Sequence, residues 1–298
     1  MKKETIATIG FFDGVHIGHH YLLSQLKTLA KRENIETSLI TFPVHPRKVL
    51  NKEFQPKLLN TFEEKITKLE ATGIDNCYVL DFTKELAEMT ACDFMNNILK
   101  TELNIKGLLI GYDHKFGKDR AHSYNDYVKF GEQCGIKIYP AKELDLEDLH
   151  VSSTVIRNLI EEGEIVKANK LLSYNYFIKG KVIEGNKIGR TIGVPTANLQ
   201  INSSLKVIPQ KGVYAVCVTL NSERYKGMAY IGDRPTVSQQ GENRIEVNIF
   251  DFNKDIYGED ITIEFVDFVR NDTQFENLDK LKQQLSTDKE YIINQVFK

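Results

Sequence analysis

Residues 10–20 read GFFDGVHIGHH, and the reading of this stretch decides the fold of the first half of the chain. The short apolar run Thr5 to Ile9 before it has the character of a buried strand. The segment after it, Tyr21-Leu22-Leu23-Ser24-Gln25-Leu26, spaces its apolar residues as a helix does. Glycines, an aspartate and histidines therefore occupy a strand-to-helix turn, where an α/β sheet sets a phosphate against the free N–H groups of a helix start. His16 and His19 are three apart, so both rings can point to one side of the turn as hydrogen-bond donors or part-time cations. A metal reading is weaker, because H-x-x-H lacks the i, i+4 spacing and the glutamate of the zincin pattern.

A length of 298 residues provides one large or two ordinary domains. Apolar content of 41% and charged content of 27% are those of a soluble globular protein. The net charge of −2 leaves no basic footprint for nucleic acid. No run of 18 apolar residues and no signal peptide is found, so no membrane partner and a cytoplasmic location are expected. Cys77, Cys92, Cys134 and Cys217 form no C-x-x-C pair and are read as reduced and mostly buried. All seven histidines lie in the first half, which confines any imidazole chemistry to it.

Outward from the opening turn, a helix to about Lys31 precedes a strand at Thr37 to Phe42. Thr61 and Glu64 form a capping box for a helix ending at Gly73. Cys77 to Phe82 reads as a strand and Thr90 to Leu103 as a helix, with Thr90 and Asp93 as its cap pair. The wholly apolar Gly107 to Gly111 suits the centre of a parallel sheet. A helix from Ser123 to Cys134 and a strand from Ile136 to Pro140 complete a β-α-β alternation. A Rossmann-like, doubly wound parallel sheet follows. After Leu172 the rhythm changes to period-2 or β-branched runs at 177–182, 213–220, 225–231, 244–252 and 261–269, parted by Gly and Asn. Five or six strands without helices between them predict a small antiparallel β-barrel, followed by a pair of amphipathic C-terminal helices. The expected domains are residues 1–174 and 175–298.

Three further stretches carry chemistry. The loop from Gly111 to Arg120, containing Asp113, Phe116, Gly117 and Arg120, follows the central strand on the same sheet edge as the histidine turn. In Ser152-Ser153-Thr154-Val155-Ile156-Arg157, Ser153 and Arg157 are four apart and face one side of a helix start. Hydroxyls, N–H groups and a guanidinium together suit a triphosphate tail. In the stretch 185–199, Gly185, Gly189 and Gly193 alternate with the cations Lys187 and Arg190 before Pro195-Thr196-Ala197-Asn198. Thr196 and Asn198 offer the hard oxygen ligands that Mg²⁺ prefers.

His16-Ile17-Gly18-His19 resembles the HxGH signature of the nucleotidyltransferase superfamily, and the wider stretch resembles the bacterial bifunctional riboflavin kinase/FAD synthetase family. Four other motifs agree with that family in order. They are the Gly-x-Asp/Asn-aromatic-x-Phe-Gly loop, SSTxIR, GxxxGRxxGxPTANL, and the GxRPT turn at 232–236 with the following strand that carries Glu246. The resemblance implies two activities, riboflavin phosphorylated to FMN in the second domain and FMN adenylylated to FAD in the first. ATP is the co-substrate of both and Mg²⁺ the cofactor. It also assigns residues. In the first domain His16, His19 and Arg157 would be catalytic, and Gly10, Phe11, Asp13, Gly14, Gly18, Asp113, Ser152, Ser153 and Thr154 would hold ATP. Phe116, Gly117 and Arg120 would lie on the flavin side. In the second domain Glu246 would be the general base, with Thr196 and Asn198 on the metal. There Gly185, Lys187, Gly189, Arg190, Gly193, Pro195, Asn198, Arg234 and Thr236 would bind ATP or flavin. His114 stands where the family has an aromatic, and Ala121-His122 where a glycine is common, and both departures bear on flavin binding.

Two other readings remain at this stage. HIGH is also the class I aminoacyl-tRNA synthetase signature, but no KMSKS-type lysine motif or basic excess accompanies it. A flavin- or nucleotide-binding regulatory module with a degenerate site would account for His114 and Ala121-His122. The chain is expected to be a monomer or weak homo-oligomer that acts on small molecules.

Overall fold

The structure is a computed structural model that describes residues 3–51, 53–111, 115–118, 121–144, 151–185, 189, 193–233 and 243–298. Asp113, His114, Arg120, Lys187, Arg190, Arg234 and Thr236 lie outside the described residues. The chain divides into two compact units, residues 1–153 and 154–298.

The first unit is built on a five-stranded parallel sheet in the order β3-β2-β1-β4-β5, formed by Thr5–Ile9 (β1), Glu36–Thr41 (β2), Asn76–Val79 (β3), Ile105–Ile110 (β4) and Lys137–Pro140 (β5). Period-2 alternation gives the sheet two apolar faces. Ile6, Leu39 and Leu109 meet Leu23, Leu26 and Ala30 of α1 (Ile17–Glu33) and Leu69 of the helix Phe62–Glu70. Ala7, Ile9, Ile40 and Ile110 meet Phe94, Met95, Leu99 and Tyr127 on the other side. Burial on both faces explains why β1 and β4 read as continuous apolar runs. Strand order reverses between β1 and β4, so the carboxyl ends of these two strands form the switch point that the sequence located.

The caps follow the sequence closely. Thr61 accepts from Glu64 N while Glu64 accepts from Thr61 N. Asp93 N donates to Thr90 Oγ1, and Gly135 closes its helix with φ of 68°. The Thr90–Leu103 segment departs from expectation, since only Ala91–Asp93 is α-helical and Phe94–Glu102 winds as a π-helix. An unforeseen short helix, Pro46–Leu50, starts at His45, whose ring accepts from Arg47 N. The four cysteines are half-buried free thiols, not buried as expected.

The helix Ser153–Glu161 starts on the last residue of the first unit, and in the second unit it and the helix Ile165–Leu172 lead to a closed antiparallel barrel. Its strands are β6 (Phe177–Ile183), β7 (Ala197–Ile201), β8 (Gly212–Leu220), β9 (Glu223–Asp233), β10 (Asn243–Ile249) and β11 (Asp260–Arg270), ordered β10-β7-β6-β11-β8-β9. The strand that the periodicity left unnamed is β7, because ANLQI is too short and too polar to alternate clearly. The expected pair of C-terminal helices is instead one run, Leu278–Tyr291, which continues into a π-turn at Ile292–Val296. Ile292, Leu285, Val296 and Phe297 cover Val213, Ala215 and Met228, while Leu278 remains exposed. This cover lets β8 be apolar on both faces.

Candidate functional site

The first site is the turn after β1. Gly10 N extends the β1–β2 pairing by donating to Ile40 O, and the chain then folds back sharply. Phe12, Gly14 and Val15 all take left-handed φ values, 56°, 83° and 39°. For a β-branched residue such as Val15 this is a strained backbone, of a kind that collects at functional sites.

Asp13 holds the strain in place. Its buried carboxylate accepts Leu59 N at 3.0 Å and 3.2 Å and Asn60 N at 3.2 Å. The Asp13 carbonyl in turn accepts Ser153 Oγ at 2.9 Å, a bond across 140 residues that ties Ser153 to the turn. Asp13 was read from sequence as an ATP residue. The structure shows its carboxylate shaping the turn through the backbone of Leu59 and Asn60.

His16 caps α1, and His19 lies one turn inside it. The rings stack at 3.6 Å with an interplanar angle of 19°, so the two histidines do share a side as their spacing required. Gly18 makes room for the pair, since a Cβ there would sit 3.2 Å from the His16 ring. His19 Nδ1 accepts His16 N–H at 3.3 Å, which leaves Nε2 of the neutral ring as the donor. Burial pushes His16 down to about 4, and burial with the neighbouring histidines pushes His19 well below its usual value. Of the two alternatives that the spacing leaves open, neutral donor and part-time cation, the first holds: both rings are neutral at pH 7.

A positive charge at this turn, beside the Asp13 carboxylate, comes from a residue with no signal in the motif. Lys65 is 2% exposed, on the Leu69 face of its helix. Its ammonium donates to Phe11 O at 3.0 Å and Phe42 O at 2.7 Å, and lies 3.9 Å from the centre of the Phe11 ring. Burial lowers it to about 8, against the opposing effects of Asp13 and Cys77. The available signal was its i, i+4 relation to Leu69, which places it on the inner stripe of an otherwise polar helix.

Of the loop after β4, Phe116 stacks on Tyr127 at 4.5 Å, and Tyr127 Oη donates to Phe116 O. Gly117, with φ of 87°, packs so closely that a Cβ would lie 2.7 Å from Ala91 N. Thr154 and Arg157 belong to the second unit, where Arg157 Nη2 donates to Thr154 Oγ1 at 3.0 Å.

The second site lies on β7 and β10. These strands pair with Asn198 opposite Glu246, and Tyr230 of β9 flanks Glu246 on the other side. Thr196 Oγ1 donates to Glu246 Oε2 at 3.3 Å. Arg244, two residues before Glu246 and so on the same strand face, forms an ion pair with it and donates to Asn198 Oδ1 at 3.3 Å. The structure thus brings Thr196, Asn198 and Glu246 together and adds Arg244, which the i, i+2 relation to Glu246 could have revealed. Asn248 Nδ2 holds the Pro195 carbonyl at 2.7 Å and fixes the approach to Thr196. Two motif glycines are required by close approach: a Cβ at Gly185 would lie 2.0 Å from Asn198 Nδ2, and one at Gly189 2.3 Å from Val194 O. Burial and Asp272 push Tyr230 up to about 12.

A parallel-sheet nucleotidyltransferase-type unit and a closed barrel with a carboxylate–amide–hydroxyl cluster define a two-activity transferase class. The FAD synthetase family model matches residues 1–155 and the riboflavin kinase model residues 172–296. The bifunctional riboflavin kinase/FMN adenylyltransferase of Listeria monocytogenes is 38% identical, over 96% of this chain and 90% of that protein. The Bacillus subtilis protein of that name is 35% identical over 98% and 92%, and the Escherichia coli K12 protein 33% over 96% and 91%. A crystal structure described as a macrolide-efflux protein from Streptococcus pneumoniae superposes with a TM-score of 0.89 at 34% identity, covering 99% of this chain and 95% of that one. Among the described residues no helix is long and apolar enough to cross a membrane. The chain belongs to the bifunctional riboflavin kinase/FMN adenylyltransferase family.

Proposed function

We propose that the chain converts riboflavin to FMN and FMN to FAD at two separate sites. The observation that carries this is the order of the two family matches along the chain, each falling where one of the two constellations lies. We assign residues 1–174 to FMN adenylylation and 175–298 to riboflavin phosphorylation. This division is supported by family models that end at 155 and resume at 172.

In the kinase reaction the 5′-hydroxyl of riboflavin attacks the γ-phosphorus of ATP, the bridging bond to the β-phosphate breaks, and ADP leaves. Glu246 takes the hydroxyl proton, and Arg244 and Thr196 hold its carboxylate in one orientation. Thr196 and Asn198 fit a magnesium ion, because both present hard oxygens and a guanidinium already stands as a cation against Asn198 Oδ1 and Glu246. Among the described residues there is no cluster of three or more His, Cys, Asp or Glu that could hold a metal. This suits an ion carried largely by substrate phosphates. When bound, it supplies charge neutralisation on the transferring group.

In the adenylyltransferase reaction an FMN phosphate oxygen attacks the α-phosphorus of a second ATP, the α–β bridge breaks, and pyrophosphate leaves. We assign His16 and His19 as neutral donors to phosphate oxygens, positioned before the charge develops. Ser152, Thr154 and Arg157 are assigned to the triphosphate by their motif. No covalent nucleophile is needed, because the substrate phosphate is one. We place the enzyme in the cytoplasm, as a monomer or weak homo-oligomer without nucleic-acid or membrane partners.

A single chromatographic time course with riboflavin, ATP and Mg²⁺ tests the reading. FMN is expected first and FAD after it. His16→Ala is expected to stop FAD formation and spare FMN formation; equal loss of both would overturn the two-site assignment.

A further inference from the structure

Around the turn and the loop after β4, Lys65 and Asp13 are buried and Phe116 is half-buried, and none of them has a role in the reaction as written. Asp13 is accounted for by the turn it shapes, and Phe116 by its stack on Tyr127. Lys65 is not accounted for by packing. A lysine is almost never fully buried unless it is paired, and an apolar side chain of similar volume would fill the Leu69 face of this helix without desolvating a charge.

We propose that Lys65 is a positioning residue of the FMN adenylyltransferase site, locking the ends of β1 and β2 together and supplying the fixed positive charge beneath the phosphate-binding turn. The inference rests on the assignment of that turn to ATP. The two acceptors of the ammonium are the carbonyls of Phe11 and Phe42, which lie just beyond the carboxyl ends of adjacent strands, beside the switch point. One side chain therefore sets the separation of two strand ends that flank the turn. The same ammonium lies over the ring of Phe11, the residue next to the left-handed Phe12.

The electrostatics point the same way. His16 and His19 are neutral, so the paired imidazoles bring donors and no charge. Lys65 is among the groups that hold His19 neutral, which places the lysine's field on that histidine. A cation already stripped of water reorganises little when an anion arrives, and its field is strong in a medium of low dielectric. Its lowered value of about 8 leaves it charged at pH 7 and records the cost of burial that an arriving phosphate offsets.

The test compares the full-length protein with Lys65→Gln, which keeps a donor for one carbonyl and removes the charge, and Lys65→Arg, which keeps the charge. The readouts are KM and kcat for ATP in FMN adenylylation, pyrophosphate binding by calorimetry, and riboflavin phosphorylation in the same preparation. Lys65→Gln is expected to raise KM for ATP and the pyrophosphate Kd at least tenfold, about 1.4 kcal/mol, with kcat changed less and the kinase within twofold. Lys65→Arg is expected to restore most of the affinity. Wild-type pyrophosphate affinity in Lys65→Gln would overturn the proposal. So would equal impairment of both variants, which would mark a purely steric role. If Lys65→Gln unfolds the first unit, a tenfold rise in KM in a folded Lys65→Arg would overturn it as well. Retained FAD synthesis in His16→Ala would instead indict the assignment of the turn, which separates the two failures.

Discussion

Replacing Asp13 by alanine tests the claim that this residue builds the first site and does not contact substrate. The carboxylate accepts the N–H groups of Leu59 and Asn60 and is itself buried. Its loss strands two buried backbone donors at about 1–3 kcal/mol each. It also removes the acidic group that favours the charged form of Lys65. A destabilisation of about 2–6 kcal/mol follows, and with m near 2 kcal/mol/M the urea midpoint of the first unit falls by roughly 1–3 M. Asp13→Asn retains one acceptor oxygen and should recover about half of the loss. The assay is urea unfolding followed by loss of FAD synthesis, with riboflavin phosphorylation as the control for the second unit, since a two-unit chain need not unfold in one step. The phosphate-contact alternative makes the opposite forecast. If Asp13→Ala keeps the wild-type midpoint and loses only catalysis, the carboxylate faces the substrate and does not hold the turn.

Two further outcomes are expected. His16 has a folded value of about 4 against an ordinary 6.5, so the unfolded chain binds the proton first. Its share of stability is intact above pH 6.5 and is lost progressively as the pH falls to 4, to about 3 kcal/mol in total, with His19 acting in the same direction. A stability profile that is flat across that window, or a His16 or His19 imidazole titrating near 6.5, would contradict the buried neutral pair. In the barrel, Gly185→Ala would drive a Cβ to 2.0 Å from Asn198 Nδ2 and should reduce riboflavin phosphorylation by at least tenfold. FAD formation from supplied FMN should continue at the wild-type rate, and parallel loss of both activities would reject a local effect.

Much of this protein was legible in its sequence, because the deciding patterns are local. The apolar runs of β1 and β4, the caps at Thr61, Thr90 and Gly135, and the change of rhythm after Leu172 each follow from backbone geometry and neighbouring residues. The shared side of His16 and His19 likewise follows from their spacing. β7 escaped because its short, polar run forms a strand only through its partners β6 and β10.

Tertiary structure decided what each side chain does once it is enclosed. The i, i+4 relation to Leu69 puts Lys65 on the inner stripe of EEKITKLE, but only the sheet that covers that helix face decides that its ammonium lies buried under the turn. The protonation of the histidines depends on burial and on the stack between them. Asp13 became a clamp on Leu59 and Asn60 through a contact 46 residues away. Residue types and their order are set by covalent sequence, whereas charge state and hydrogen-bond partners depend on the water that folding removes.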